Sequence, residues 1–333
     1  MRPGVAPRPT FAVRGMTVLA PRAALPPALP GRRRTVELPG FGALSWYEDE
    51  PATGAGPSPP LLLVHSINAA ASAYEMMPLY AHYRRVRAVY AIDLPGYGFS
   101  ARPDRRYDPR LMTDALHALV AEIRRARGGE PVEALALSLS TEFLARAAVE
   151  RPADYRGLAL VSPTGFGGTH LREGPEGGHY GRPGVLEFLR ALGLRRAVFG
   201  LLTRRRVIRY FLTRTFGSKT IDAGLLDYDT LTTRPPGAEY APLHFLSGFL
   251  FSRDSGTLYR SLEAPVWLVH GERGDFVRYR GLAALADRRN FSVQVFPTGA
   301  LPYFERPQEF IDRYDAWRSA TRAQSDAVRQ RQR

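Results

Sequence analysis

The sequence predicts an α/β protein: a mostly parallel central sheet with helices on both faces, interrupted by a helical insertion. Three observations carry this expectation. Short continuous apolar runs at 61–65, 88–92, 132–137 and 158–161 have the pattern of strands buried on both faces. Helical periodicity fills the gaps, at 72–83, 109–127 and 141–150, and strand-helix alternation implies right-handed crossovers and parallel pairing. The alternation then stops between about 165 and 261, where helical patterns at 185–192, 197–216 and 243–251 are broken by Gly and Pro.

Taken in order, residues 1–34 are rich in Pro and Arg and read as a disordered leader. Residues 35–38 and 43–47 alternate like a hairpin, and the Pro/Gly-rich 51–60 reads as a loop. The expected core occupies 35–165, a helical cap 166–261, and the second part of the core 262–318, with strands at 266–270 and 292–296 and a closing helix at 307–318 or a little beyond. Residues 319–333 are expected to be a basic tail.

Composition narrows the function classes. The formal net charge is +14, but residues 1–36 hold seven arginines and no acid, and residues 318–333 hold five arginines against Asp326. The charge is therefore concentrated in the tails, no nucleic-acid recognition motif appears, and a nucleic-acid partner is not expected. With no cysteine, a disulfide framework, a thiolate metal site and a cysteine nucleophile are excluded. No apolar run reaches membrane-spanning length. Neither metal nor cofactor is expected, and the location is read as cytoplasmic, with peripheral membrane contact through a basic cap. Between Arg190 and Lys219 nine basic residues alternate with apolar ones and no acid intervenes. This pattern fits either a lid with a solvated outer face or a helix lying on an anionic surface.

Ser138 stands in Ala136-Leu137-Ser138-Leu139-Ser140, between an apolar run and a helical one. A strained strand-to-helix turn would expose its hydroxyl there; the plainer alternative is a serine-rich helix N-cap. Four segments in order then resemble the α/β-hydrolase fold, in its lidded esterase, haloperoxidase and dehalogenase-like branch. They are Leu62-Leu63-Val64-His65 with Ser72-Ala73-Tyr74-Glu75; Asp93-Leu94-Pro95-Gly96-Tyr97-Gly98; the Ser138 turn; and Gly299 to Pro307.

The resemblance implies Ser138 as nucleophile and the Leu139 and Ile67 N–H groups as oxyanion donors. It places His65, Ser66 and Asn68 beside the ligand and Asp275 as the triad acid, although a solvated loop aspartate beside Arg273 is the other reading of that residue. The family's histidine position is Ala300, and a methyl group takes no proton. Loss of serine or histidine from such a triad costs about 10⁶ in kcat. His170, His179 and His244 in the cap, Tyr303 and Glu142 are the substitutes considered, and the sequence does not choose among them. A carboxylate nucleophile, which dehalogenase chemistry needs, is absent at 138. Two functions are therefore expected in competition: a serine hydrolase acting on a lipophilic ester with an atypical triad, and a non-catalytic relative that binds an apolar ligand, a membrane surface or a protein.

Overall fold

The computed structural model describes residues 24–51, 58–275 and 278–331. One eight-stranded sheet organises them, with strand order β1-β2-β4-β3-β5-β6-β7-β8. The antiparallel edge is β1 (Arg32–Leu38) and β2 (Gly42–Asp49). The remaining strands are parallel to one another: β3 (Leu61–Val64), β4 (Val89–Asp93), β5 (Val132–Leu137), β6 (Tyr155–Val161), β7 (Val266–Gly271) and β8 (Phe291–Phe296). Strands β3, β4 and β5 are buried at every position, which is why they read as unbroken apolar runs. Alternate residues feed two core layers. Leu62, Val64, Ala134 and Ala136 pack on one face, and Leu61, Leu63, Leu135 and Leu137 on the other.

The crossover helices lie close to where periodicity puts them. Ser72 caps a 3₁₀ turn, Ala73–Met76, that runs into α1 (Met77–Tyr83). Helix α2 (Pro109–Ala126) begins at Asp108, whose side chain accepts from the Leu111 N–H, with Pro109 at the first helical position where no donor is needed. Helix α3 (Ser140–Glu150) follows β5 directly.

Between β6 and β7 come α4 (Pro183–Ala191), α5 (Arg195–Leu202), α6 (Arg205–Phe216), α7 (Ala223–Thr232), α8 (Tyr240–Leu246) and α9 (Ser255–Ser261). The single helix expected over 197–216 is two, because Arg204 adopts extended backbone and breaks it. Helices α10 (Pro302–Glu305) and α11 (Pro307–Arg331) close the chain. Among the described residues no helix is long and apolar enough to cross a membrane.

Both expected tails are corrected in part. Residues 1–23 lie outside the described residues, but 24–34 are structured: Ala28 and Leu29 are buried. The Ala28 N–H donates to the Tyr47 hydroxyl, Tyr228 donates to the Pro26 carbonyl, and Arg32 to Arg34 belong to β1. At the other end α11 continues through the expected tail to Arg331. Two of its arginines, Arg318 and Arg322, are tied to the core by charge. Glu133, buried at the start of β5, accepts from Arg87 at 2.8 Å and Arg318 at 2.5 Å, with Arg322 at 3.5 Å. These guanidiniums together hold its carboxyl below the usual glutamate range despite burial. Arg87 and Arg318 are themselves buried.

Replacing Glu133 with leucine leaves the buried Arg87 without a counter-charge and Arg318 with Asp315 alone. The expected loss is about 3–5 kcal/mol in urea-induced unfolding; a loss below ~1 kcal/mol would show the cluster to be solvated.

Candidate active site

The β5–α3 turn is held in an uncommon backbone conformation. Ser138 has φ of 56°, a left-handed conformation that a residue with a Cβ adopts only under constraint. The constraint is visible in the hydrogen bonds. Its N–H donates to the Val161 carbonyl at 2.8 Å, and its own carbonyl accepts from the Thr141 N–H at 3.1 Å and the Thr141 hydroxyl at 2.6 Å. Ala136 and Ser140 are fully buried on either side. The Ser140 hydroxyl donates to the His65 carbonyl at 2.6 Å and so fastens the turn to the loop after β3. Among the described residues the partly exposed Ser138 hydroxyl has no hydrogen-bond partner. The N-cap alternative fails, since the helix is capped at Leu139 with no side-chain bond.

The loop after β3 is a closed polar network. Leu94 N–H donates to His65 Nε2 at 3.0 Å, which fixes the proton on Nδ1, and Nδ1 donates to the Ser66 carbonyl at 2.6 Å. Burial lowers the His65 pKa to about 4. His65 is thus a neutral brace for the loop, and its expected place beside the ligand is corrected.

Ser66 and Asn68 are corrected as well. Glu75 accepts from the Ser66 N–H at 2.6 Å, the Ser66 hydroxyl at 2.9 Å and the Asn68 amide at 2.7 Å. Asn68 accepts in turn from the Ala70 N–H, so its amide is spent within the loop and does not point to an oxyanion. The N–H groups of Ile67 and Leu139, both buried, have no acceptor among the described residues.

Asp275 and Ala300, to which the resemblance gives the acid and base positions, both meet the end of α6. Asp275 forms a two-point ion pair with Arg214 of α6, one contact at 2.5 Å, and orients no histidine. Its N–H donates to the Arg214 carbonyl at 3.2 Å, while the Ala300 N–H donates to the Thr215 carbonyl at 2.9 Å. Glycine is required where the chains meet, because a Cβ on Gly299 would overlap the Phe216 carbonyl. Ala300 is 6% exposed, and its carbonyl accepts from Ser162, a second non-glycine residue with positive φ.

None of the chain's histidines is hydrogen-bonded to Ser138. His117 contacts Glu150, His179 contacts Arg106 and the Gly181 N–H, His244 contacts the Tyr240 carbonyl, and His270 stacks on Tyr279 while contacting the Gly271 carbonyl. Glu142, another of the substitutes considered, is buried and accepts from Thr164 at 2.5 Å and the Ser252 N–H at 2.8 Å, so it holds the inserted segment and not the serine. Two clefts of about 530 and 260 Å³ open along the inserted helices, and Ser138 lines neither. Among the described residues no group of three or more His, Asp or Glu suits a metal ion.

A model of the alpha/beta hydrolase family matches residues 61–313. The chain belongs to that family. No curated protein matches the sequence. Among solved structures, this α/β-hydrolase resembles a serine hydrolase involved in carbazole degradation, with TM-score 0.64 and 15% identity over 87% of this chain and 99% of the other. It also resembles a putative lipase from Acinetobacter baumannii, with TM-score 0.63 and 20% identity over 88% and 92%. Naproxen esterase from Bacillus subtilis aligns with TM-score 0.59 and 18% identity over 87% and 93%. At these identities the likeness concerns the fold.

Sequence reasoning missed one cluster. Glu75 and Asp229 of α7 are fully buried, and each carboxyl is pushed upward by burial, Glu75 to about 7. The Glu75 charge also raises Asp229 and the buried Tyr97 and Tyr303 hydroxyls. One Asp229 oxygen and both hydroxyls lack partners among the described residues. The available signal was Ser72-Ala73-Tyr74-Glu75, a capping-box pattern. Ser72 caps through the Tyr74 N–H, not the Glu75 N–H of a capping box, and the Glu75 carboxylate turns to the loop after β3.

Two outcomes are expected. A carboxyl with a raised folded pKa contributes stability that is complete below the unfolded value and is lost as pH rises through the folded one. Wild-type stability is therefore expected to fall between about pH 4.5 and 7 by on the order of 3 kcal/mol more than that of Glu75→Gln. Parallel pH profiles of the urea midpoint would remove Glu75 as the cause. Ser138→Gly relieves the left-handed strain and should raise stability by about 1 kcal/mol; an unchanged midpoint would mean that the turn is not strained.

Proposed function

We propose that this α/β-hydrolase is a serine hydrolase acting on carboxylic esters of lipophilic substrates, with Ser138 as nucleophile and the Ile67 and Leu139 N–H groups as oxyanion donors. The observation that carries this reading is the left-handed Ser138 turn, which presents an unpartnered hydroxyl while the two N–H groups are also free. Strain of this kind persists where surrounding structure over-determines it and serves a site. Esters are favoured because the fold is shared with a lipase and an esterase.

The chemistry is acyl transfer. The Ser138 oxygen adds to the ester carbonyl, negative charge gathers on the carbonyl oxygen at the two N–H groups, and collapse expels the alcohol to leave an acyl-serine that water hydrolyses. With alanine at 300 and Asp275 held by Arg214, no side chain takes the serine proton. Solvent hydroxide does so instead, and turnover is slow and rises with pH. The inserted helices act as the cap over the substrate. In this reading the departures from the triad lower the rate without removing the nucleophile.

One arrangement favours the competing non-catalytic reading: Ala300 and Asp275 are both bonded through their N–H groups to the end of α6. The readings separate by experiment. A fluorophosphonate probe is expected to label wild type slowly, faster at pH 9 than at pH 7, and to leave Ser138→Ala unlabelled. Absence of labelling at high probe concentration and alkaline pH would falsify the hydrolase assignment. In serine triads, loss of the acid costs about 3 × 10⁴ of the about 2 × 10⁶ lost with the serine or histidine. A histidine lacking its acid thus keeps about 60-fold, and Ala300→His is expected to raise Ser138-dependent hydrolysis of a nitrophenyl ester by about that factor.

A further inference from the structure

Seven of the thirteen large apolar side chains that are exposed among the described residues fall between Val185 and Phe211. Helix α4 buries none of its residues. Val185, Phe188 and Leu192, spaced to fall on one helical face, are 48%, 62% and 54% exposed; Leu201 of α5 and Tyr210 and Phe211 of α6 are each above half exposed. A water-facing helix ordinarily turns such residues inward.

The arginines of the same segment divide into two sets. Arg195, Arg196, Arg205 and Arg214 pair with Asp104, Glu239, Asp227 and Asp275. Arg182, Arg190, Arg204, Arg206 and Arg209 are exposed and have no ion pair among the described residues. Glu187 is the one acid between Arg182 and Ile221. Three consecutive short helices therefore combine exposed aromatic and aliphatic groups with unpaired guanidiniums.

We propose that α4–α6 form a docking surface for an anionic lipid bilayer, with the apolar side chains entering the acyl boundary and the unpaired arginines meeting lipid phosphates. Charge complementarity selects this occupant. A second copy of the chain would bring the same positive set against itself, whereas an anionic membrane supplies apolar interior and negative charge side by side. Polynucleotide phosphates would match the arginines but would leave Val185, Leu192 and Leu201 in water. The surface is independent of Ser138 chemistry, so either proposal can fail without the other.

The test is co-sedimentation of the full chain with vesicles of phosphatidylcholine alone and with about one-third phosphatidylglycerol, at two salt concentrations. Binding is expected to the anionic vesicles only and to weaken with salt. Each arginine near an anionic surface strengthens partitioning by about 5-fold. The triple variant Arg204→Glu, Arg206→Glu, Arg209→Glu is thus expected to lose about 100-fold or more in affinity. Phe188→Ser with Phe211→Ser is expected to weaken binding by at least ~10-fold while circular dichroism stays unchanged. Binding that persists in both variants would assign the attraction to the N-terminal arginines and overturn the proposal. So would equal binding to neutral vesicles, tighter binding to a polynucleotide than to vesicles, or a wild-type dimer that the two serine substitutions dissolve.

Discussion

The last turn of α6 is the constraint on which the site depends. A helix ends with carbonyls that have no partner within it, and here two are met by the loops after β7 and β8, through the N–H groups of Asp275 and Ala300. The contact is close enough that Gly217, Gly274 and Gly299 each face neighbouring backbone. The inserted segment is thereby joined to the core where a triad would keep its acid and base. Loops that in a complete triad would position acid and base serve in this chain as main-chain donors to a helix end. The Asp275–Arg214 pair adds a charged contact to the same junction.

The remaining departures around Ser138 also belong to one arrangement. Ser140 reaches the His65 carbonyl, His65 reaches Ser66 and Leu94, and Ser66 and Asn68 reach Glu75. The Ser66 and Ser140 hydroxyls both have partners, and the carboxyl that Ser66 and Asn68 share is buried. Such a network is costly when half satisfied, because an orphaned polar group in low dielectric loses its hydration without replacement. Substituting Ser66 or Glu75 singly would break it, so these positions are physically coupled. The left-handed backbone at Ser138 is held by the same web.

Much of the fold was legible because strands buried on both faces have little choice of residue. The boundaries of β5 match the apolar run, and β3, β4 and β8 differ from theirs by a residue. Ser138 was legible for a related reason: small residues must flank a tight strand-to-helix turn. What stayed hidden depends on long-range partners. Helix α7 has no strong apolar stripe, since it is buried in part through Tyr228 and Asp229. Residues 24–31 look like a loose Pro-rich tail until Tyr47 and Tyr228, far away in sequence, are seen to take up their backbone groups. Asp275 reads equally as a triad acid and as a solvated loop residue, and only the placement of Arg214 shows where its carboxylate is held. Asn68 fits an oxyanion donor by type and position, and Glu75, seven residues on, decides otherwise.

The Glu133 cluster has a consequence for how the chain is made. Glu133 lies in the sheet's interior, yet one of its two closest guanidiniums arrives with Arg318, 185 residues later. While the C-terminal segment is still within the ribosome, the core can assemble its strands but must hold that carboxylate with Arg87 alone. Final consolidation of β5 therefore waits for release of α11, and a chain cut short before Arg318 would carry its defect in the central strand, far from the cut.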